Sequence, residues 1–169
     1  MVSMNKLTVQ QRAQVLRALV EGNSIRATVR MTEAAKNTVV KLLADVGSAC
    51  LDYQDKTLRN PSCKRVQCDE IWSFCCAKDK NVPKDKQGQF GYGDVWTWTA
   101  ICADSKVVPC WLVGRRDARA ARDFMLNLAG RLSSRIKLTT GGFKAYLKAV
   151  NGAFGLDVDP CDAGQAVRA

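Results

Sequence analysis

The chain has 169 residues, of which 47% are hydrophobic and 25% are charged, as is usual for a globular protein. No apolar stretch approaches the roughly 20 residues of a membrane span, and the N-terminus lacks the apolar core of a secretory signal. We therefore expect a cytoplasmic protein with no membrane partner. The net charge of +10 favours a polyanionic partner, although a basic protein without such a partner is the alternative.

The first fifty residues predict three helices. The first helix is predicted to begin after Thr8, which is the cap residue of a capping box, and to end at Gly22. Ser24 opens a short second helix over Ile25 to Met31, and a longer third helix runs from about Lys36 to Leu51. The buried face of the third helix is expected to consist of Val39, Leu42, Leu43 and Val46.

Three helices of this size, with a tight turn before the third, are typical of a helix-turn-helix, whose third helix enters the major groove. We assign residues 1–58 to such a domain and expect it to bind double-stranded DNA. Asn37 could pair with adenine, and Lys41 could reach guanine or a phosphate. A helical bundle with a merely solvated polar face is the alternative. The expected DNA-binding residues are Arg26, Arg30, Lys36, Asn37, Thr38 and Lys41.

Two local features define the limits of the third helix. The turn over residues 32–35 contains no glycine, and Ala35 cannot cap the third helix, which should cost about 1 kcal/mol. A polar segment ending in Pro61 predicts a linker over residues 57–64, with a second domain beginning at Arg65.

Cysteine usage bears on metal binding. The chain has 8 cysteines and no histidine, which excludes a zinc site with two histidine ligands. Four of the cysteines cluster without any C-x-x-C pair, so zinc is the weaker interpretation and buried free thiols in a reducing compartment the favoured one. The four are Cys63, Cys68, Cys75 and Cys76.

The segment from Val66 to Phe74, V-Q-C-D-E-I-W-S-F, predicts a strand that carries two carboxylates inside an apolar run. A carboxylate there loses solvation at a cost of several kcal/mol unless a cation or hydrogen bonds offset it, so such a strand often holds a metal. An edge strand whose charged side faces water is the alternative. Asp69 and Glu70 point to opposite faces of the strand, because side chains alternate.

The rest of the chain predicts an α+β fold. Period-two patterning over Gly91–Asp104 and an apolar run over Val107–Val113 indicate two further strands, and Pro109 places the last of these at an edge or a bulge. A helix capped by Asp117 and a strand over Ile136–Thr140 follow. Three strands, a helix, a strand and a helix form the order of a ribonuclease-H-like fold.

Four ordered motifs then resemble the transposases of the insertion-sequence-one family, over roughly Leu7 to Asp159. They are C-D-E-I-W-S-F, G-D-V-W-T-W-T-A-I, V-P-C-W-L-V-G-x-R-D and L-T-T-G-G-F-K-A-Y-L. The resemblance implies a ribonuclease-H-like domain over residues 65–159 that joins DNA with an Asp-Asp-Glu triad and two Mg²⁺ or Mn²⁺ ions. It also implies the terminal inverted repeats of a mobile element as the DNA partner. Asp69 takes the place of the first triad acid and is the expected catalytic and metal-binding residue.

The chain departs from that family where the second triad acid is expected. Gly141 stands at this position, and Phe143 replaces the family's histidine. The third acid comes from a later helix, before which this chain stops, and residues 160–169 look like the divergent, disordered tail of a truncated or frame-shifted copy. We therefore expect that the chain neither cuts nor joins DNA and holds divalent ions weakly. An uncovered sheet would expose Trp96, Trp98 or Trp111 and favour association into homo-oligomers.

Alternatives of another class remain open. The chain could act as a non-enzymatic helix-turn-helix repressor of the element, or it could be a relic without function. Two basic segments could contact phosphates or could simply be solvated: a lysine-rich loop over Lys78–Gly93, and an arginine cluster at the start of the helix that Asp117 caps.

Overall fold

The structure is a computed structural model, and it describes residues 6–89, 91–133, 135–155 and 158–160. The chain divides into two compact units, Met1–Thr57 and Leu58–Ala169. Apart from Pro160, the tail expected over residues 160–169 lies outside the described residues.

The first unit contains three helices: α1 (Val9–Val20), α2 (Ile25–Thr32) and α3 (Lys36–Thr57). The capping box predicted at the start of α1 is confirmed, since the Thr8 hydroxyl accepts from the Gln11 backbone at 3.2 Å and the Gln11 side chain accepts from the Thr8 backbone. Helix α3 is longer than predicted and passes Leu51 to end at Thr57.

The core of this unit is small. Val15, Ala34 and Val39 are buried, and Leu42 is among the side chains that pack against them. Leu43, which was expected in the core, is 43% exposed, so that prediction was wrong. The covered stripe of α3 follows positions 39, 42 and 46, and residue 43 lies at its margin, where the two short helices do not reach.

The second unit is a mixed sheet of five strands. The strands are β1 (Arg65–Cys75), β2 (Gly93–Cys102), β3 (Cys110–Gly114), β4 (Ile136–Thr140) and β5 (Val158–Pro160). Their order in the sheet is β3-β2-β1-β4-β5. The first three strands form an antiparallel meander, and β4 lies parallel to β1 on its other side, followed by a parallel β5.

Helices α4 (Ala118–Ala129) and α5 (Ala145–Phe154) pack on one face of this sheet. The cap predicted at Asp117 is confirmed, because its carboxylate accepts from the Ala120 backbone at 2.8 Å. Helix α4 has a buried stripe that includes Ala121, Phe124, Met125 and Leu128. It meets inward side chains from four strands, and the core includes Val66, Cys68, Trp98, Ala100, Cys110, Phe124, Met125, Leu128 and Leu138.

The order of three strands, helix, strand and helix agrees with the sequence prediction, but the start of the third strand does not, and the short β5 was not predicted. Strand β3 begins at Cys110 rather than Val107, and the fully buried Pro109, which has no N–H to donate, lies just outside the ladder. Exposure was expected of Trp96, Trp98 or Trp111: Trp111 is 42% exposed, Trp96 is half-buried and Trp98 is completely buried. Trp98 is buried because it lies on the face that the helices cover.

Candidate catalytic and nucleic-acid sites

Asp69 lies in the middle of β1, directly beside the end of β4. The parallel register pairs Cys68 with Thr140, and the Gly141 backbone N–H donates to the Cys68 carbonyl at 3.3 Å. A Cβ atom on Gly141 would lie 3.4 Å from Asp69 Oδ1. The two positions where the family resemblance implies acids are therefore neighbours, and only one of them has a carboxylate.

The environment of Asp69 differs from that expected of a desolvated carboxylate. Its side chain is on the sheet face opposite the helices and is exposed, and its Oδ1 accepts from the Glu70 backbone at 2.8 Å. Of the two alternatives left open by the sequence, the structure has the carboxylate that faces water, although β1 is a central strand of the sheet and not an edge. The buried acid of the strand is its neighbour, Glu70, whose side chain is only 4% exposed.

The residues around Asp69 do not fit a two-metal site. Such a site needs several carboxylates that flank two ions about 3.5–4 Å apart. Position 141 supplies no ligand, and no group of three or more cysteine and carboxylate side chains that could hold a metal ion occurs within the described residues. We therefore derive no chemical step through a metal ion.

Glu70, whose side chain is buried, anchors a cluster that the sequence did not reveal. Its Oε2 accepts from Arg116 Nε at 3.1 Å, across 46 positions of sequence. The Arg116 guanidinium lies 4.2 Å from the ring centroid of Phe143 and 5.1 Å from that of Trp96. This arginine, one of those considered for phosphate contact, is thus held by a carboxylate and two rings.

Tyr146 lies close to the same carboxylate. Burial, and after it the Glu70 carboxylate, raise the pKa of the Tyr146 phenol far above its ordinary value. Within the described residues, neither the Tyr146 hydroxyl nor Glu70 Oε1 has a partner in hydrogen-bonding geometry. The cluster fixes the segment before α4 against β1, with the Glu70 carboxylate buried and the Arg116 side chain 36% exposed.

A cavity of about 490 Å³ opens beside this cluster, between the lysine-rich loop and the start of α4. Asp79 and Asp94 hold the loop to β2 reciprocally: each backbone N–H donates to the other residue's carboxylate, at 3.1 and 2.9 Å. The lining combines rings, guanidinium groups and carboxylates, and it includes Tyr92, Trp96, Arg115, Arg116, Asp79 and Asp94.

The residues expected to bind DNA lie on α2 and on the first turns of α3. Arg26, Arg30, Lys36, Asn37 and Lys41 are exposed, and Thr38 is partly buried. Thr8 and Ser24 cap the first two helices of the unit with their side-chain oxygens, whereas Glu33 ends α2 with a left-handed backbone, φ 56°.

A second cavity, of about 460 Å³, lies between the N-terminal segment and α3. Asn37, Thr38 and Lys41 line it, together with Arg12. The Lys41 ammonium lies 2.8 Å from the Asp45 carboxylate one turn further along α3, in an ion pair that is well exposed. Arg12 donates from Nε to the Leu7 carbonyl at 3.0 Å, so part of this basic surface already has partners.

The remaining arginines of α4 each lie close to a carboxylate, and the cysteines form no group that could hold a metal ion within the described residues. Arg119 and Arg122 both approach Asp123, at 3.8 and 3.6 Å. Cys63, Cys68, Cys102 and Cys110 are buried free thiols, whereas Cys75 and Cys76 are exposed. Burial raises the pKa of Cys110 to about 11, consistent with an inert core thiol.

Within the described residues, no helix is long and apolar enough to cross a membrane.

Comparisons with known proteins give little further information. No protein-family model matches the chain, and no curated protein matches it. Among solved structures, a chain of the Mos1 strand transfer complex is similar over 95% of this chain, with 13% sequence identity and a TM-score of 0.37. This chain spans 61% of the length of that one.

Proposed function

We propose that this protein is a DNA-binding member of the insertion-sequence-one transposases that has lost the carboxylate pair needed to cut and join DNA. Its first unit is a helix-turn-helix for double-stranded DNA, and its second unit is a ribonuclease-H-like domain. The terminal inverted repeats of the mobile element are the DNA it recognises.

The observation that carries this proposal is the position of Asp69 next to Gly141. The ribonuclease-H-like arrangement requires an acid on the central first strand and a second acid at the end of the fourth strand, next to it. The sheet order β3-β2-β1-β4-β5 brings these two positions together, with a Cβ on Gly141 3.4 Å from Asp69 Oδ1. This proximity supports the proposal that the scaffold of a two-carboxylate site remains, with glycine in place of the second acid.

The missing acid explains why we propose binding without catalysis. Two-metal phosphoryl transfer depends on carboxylates that hold both ions beside the attacking and leaving oxygens. Asp69 alone supplies only one of the carboxylates that such a pair of ions needs. Glu70 cannot replace the others, because it pairs with Arg116 on the other face of the sheet.

The basic surface of the first unit supports the DNA-binding part of the proposal. Arg26 and Arg30 project from α2, and Lys36 and Asn37 from the first turn of α3, all exposed. The net charge of +10 adds long-range attraction to a polyanion. Because this unit has its own buried core around Val15 and Val39, it could also repress the element by occupying its ends without cutting them.

Two assays test this proposal separately. In a mobility-shift assay, the full chain should bind duplexes carrying the terminal repeats of the element more tightly than scrambled duplexes, and an N37A/K41A variant should lose that preference. A strand-transfer assay with the same duplexes and Mg²⁺ should yield no joined product. Robust joining by the unaltered chain would refute the loss of catalysis, and absence of duplex binding at low salt would refute DNA recognition.

A further inference from the structure

The far end of the β1–β2 ribbon presents aromatic side chains to solvent. We call Trp72, Phe74 and Trp96 the aromatic strip. Trp72 and Trp96 face each other across the two strands, and Phe74 follows two positions along β1 on the same face. Trp72 is 39% exposed and Phe74 is 48% exposed, although such large rings are usually covered. This face continues the core face of the sheet beyond the helices.

Cations accompany the rings of the strip. The centroids of Trp72 and Phe74 are 5.7 Å apart, and the ring planes are tilted by 37°. The Lys78 ammonium lies 4.8 Å from the Trp72 centroid, and the Arg116 guanidinium 5.1 Å from that of Trp96. Exposed Trp72 next to Lys78 provides both a stacking surface and a positive charge, whereas the charge of Arg116 is paired with Glu70.

The loop that joins β1 to β2 makes the surroundings of the strip basic. Its turns over Asp79–Asn81 and Lys84–Lys86 belong to a segment with four lysines and two aspartates. The Asp79 carboxylate already accepts from the Asp94 backbone, which reduces its repulsion of an anion. The cavity of about 490 Å³ beside Trp96 is large enough for a nucleotide-sized ligand.

We propose that the aromatic strip binds unpaired bases of single-stranded DNA, with the loop lysines and Arg115 on the phosphates. Stacking between bases and exposed aromatic rings beside a basic groove is the usual basis of single-strand binding. The positive surroundings favour a nucleic acid over an apolar peptide as the occupant. This site goes beyond the proposed function, because it lies in the second unit and takes unpaired DNA rather than the duplex assigned to the helices.

The test compares how tightly the full chain binds two oligonucleotides of equal charge. Fluorescence anisotropy measures binding of an oligothymidylate of about 15 nucleotides and of an abasic strand of the same length. The unaltered protein should prefer the strand with bases by at least about 5-fold for each stacked base. Its tryptophan fluorescence should be quenched by the oligothymidylate and not by the abasic strand, a measurement that needs no variant.

Variants locate the preference. W72L/F74L should lose the preference for bases while keeping the weaker electrostatic binding. W111L is the matched control, because Trp111 is 42% exposed on the opposite face of the same sheet, and it should keep the preference. The proposal is overturned if the unaltered chain binds both strands equally, if W72L/F74L retains the preference, or if W111L abolishes it.

An N37A/K41A variant separates this proposal from duplex recognition. It should lose preferential binding to terminal-repeat duplexes and retain the preference for oligothymidylate over the abasic strand. Loss of both activities in that variant would contradict an independent site in the second unit.

Discussion

A side chain on Gly141 would begin 3.4 Å from Asp69 Oδ1, in ordinary van der Waals contact with the carboxylate. Gly141 does not have the positive φ that would penalise another residue. We predict that G141D places a second carboxylate beside Asp69 and strengthens Mn²⁺ binding by at least roughly tenfold, because affinity for hard cations rises with the number of charged oxygen ligands. Isothermal titration with Mn²⁺ measures this.

The neighbouring glycine provides the control for that prediction. A Cβ on Gly142 would meet nothing within 4 Å, so G142D adds the same charge without a partner carboxylate. It should bind Mn²⁺ no better than the unaltered chain, and D69N/G141D should lose the gain. Equal gains in G141D and G142D would indicate a general charge effect and contradict the paired site.

The contact between Asp79 and Asp94 leaves no room for a side chain on Gly93. A Cβ at Gly93 would overlap Asp79 Oδ1, and the backbone there has φ 97°. G93A must therefore displace a carboxylate that accepts from the Asp94 backbone at 2.9 Å. We predict that G93A lowers the free energy of unfolding by about 1–3 kcal/mol in addition to the loss that backbone strain at a positive φ causes by itself. All four tryptophans lie in this unit, so urea unfolding followed by tryptophan fluorescence reports on it.

Gly91 is the matched control for this clash. It also has a positive φ, 88°, but a Cβ there would meet nothing within 4 Å. G91A should show only the strain of a left-handed backbone, about 1–2 kcal/mol. In a D79A background the difference between G93A and G91A should disappear. A difference that persists would show that the Asp79 carboxylate is not its cause.

A third prediction concerns the glutamates at the ends of α1 and α2. Glu33 ends α2 with φ 56°, whereas Glu21 ends α1 with φ −72°. Glycine relieves left-handed strain but has no such advantage at a negative φ, so E33G should stabilise the first unit by about 1 kcal/mol, and E21G should be neutral or destabilising. Hydrogen exchange of peptides from residues 6–57, followed by mass spectrometry, measures both. Equal effects of E33G and E21G would contradict the backbone explanation.

Local patterns in the sequence were sufficient to predict most of the strands and helices of the second unit. A run of strand-forming residue types predicted β1, alternation of side chains predicted β2, and Asp117 predicted the start of α4, because composition, strand periodicity and helix caps are properties of a few adjacent residues. The core of the first unit was predicted less well. Leu43 was placed inside because helix periodicity defines a stripe without showing how far the partner helices extend over it.

The face on which each acid lies could not be derived from the sequence. Alternation places Asp69 and Glu70 on opposite faces, but both faces of β1 carry large apolar residues, such as Ile71 and Trp72. The choice depends on where α4 and α5 pack, which is a property of distant sequence. For the same reason the Glu70–Arg116 pair, 46 positions apart, had no local signal.

The exposed ion pair between Lys41 and Asp45 allows a test of the proposed DNA binding by the first unit. Their charged atoms are 2.8 Å apart, so a phosphate must compete with a carboxylate for the Lys41 ammonium. We predict that D45N raises the affinity for duplex DNA several-fold and makes the slope of log K against log salt steeper by about 0.9, as for one additional phosphate contact. Anisotropy titrations of a labelled duplex over a range of salt concentrations measure both quantities.

D52N is the matched control for D45N. It removes the same charge two helical turns further along α3, about 10 Å away, and should change the affinity much less. In a K41A background the gain from D45N should vanish, because no ammonium is left to release. An equal gain from D45N and D52N, or a gain that survives K41A, would mean that Lys41 does not contact the phosphates.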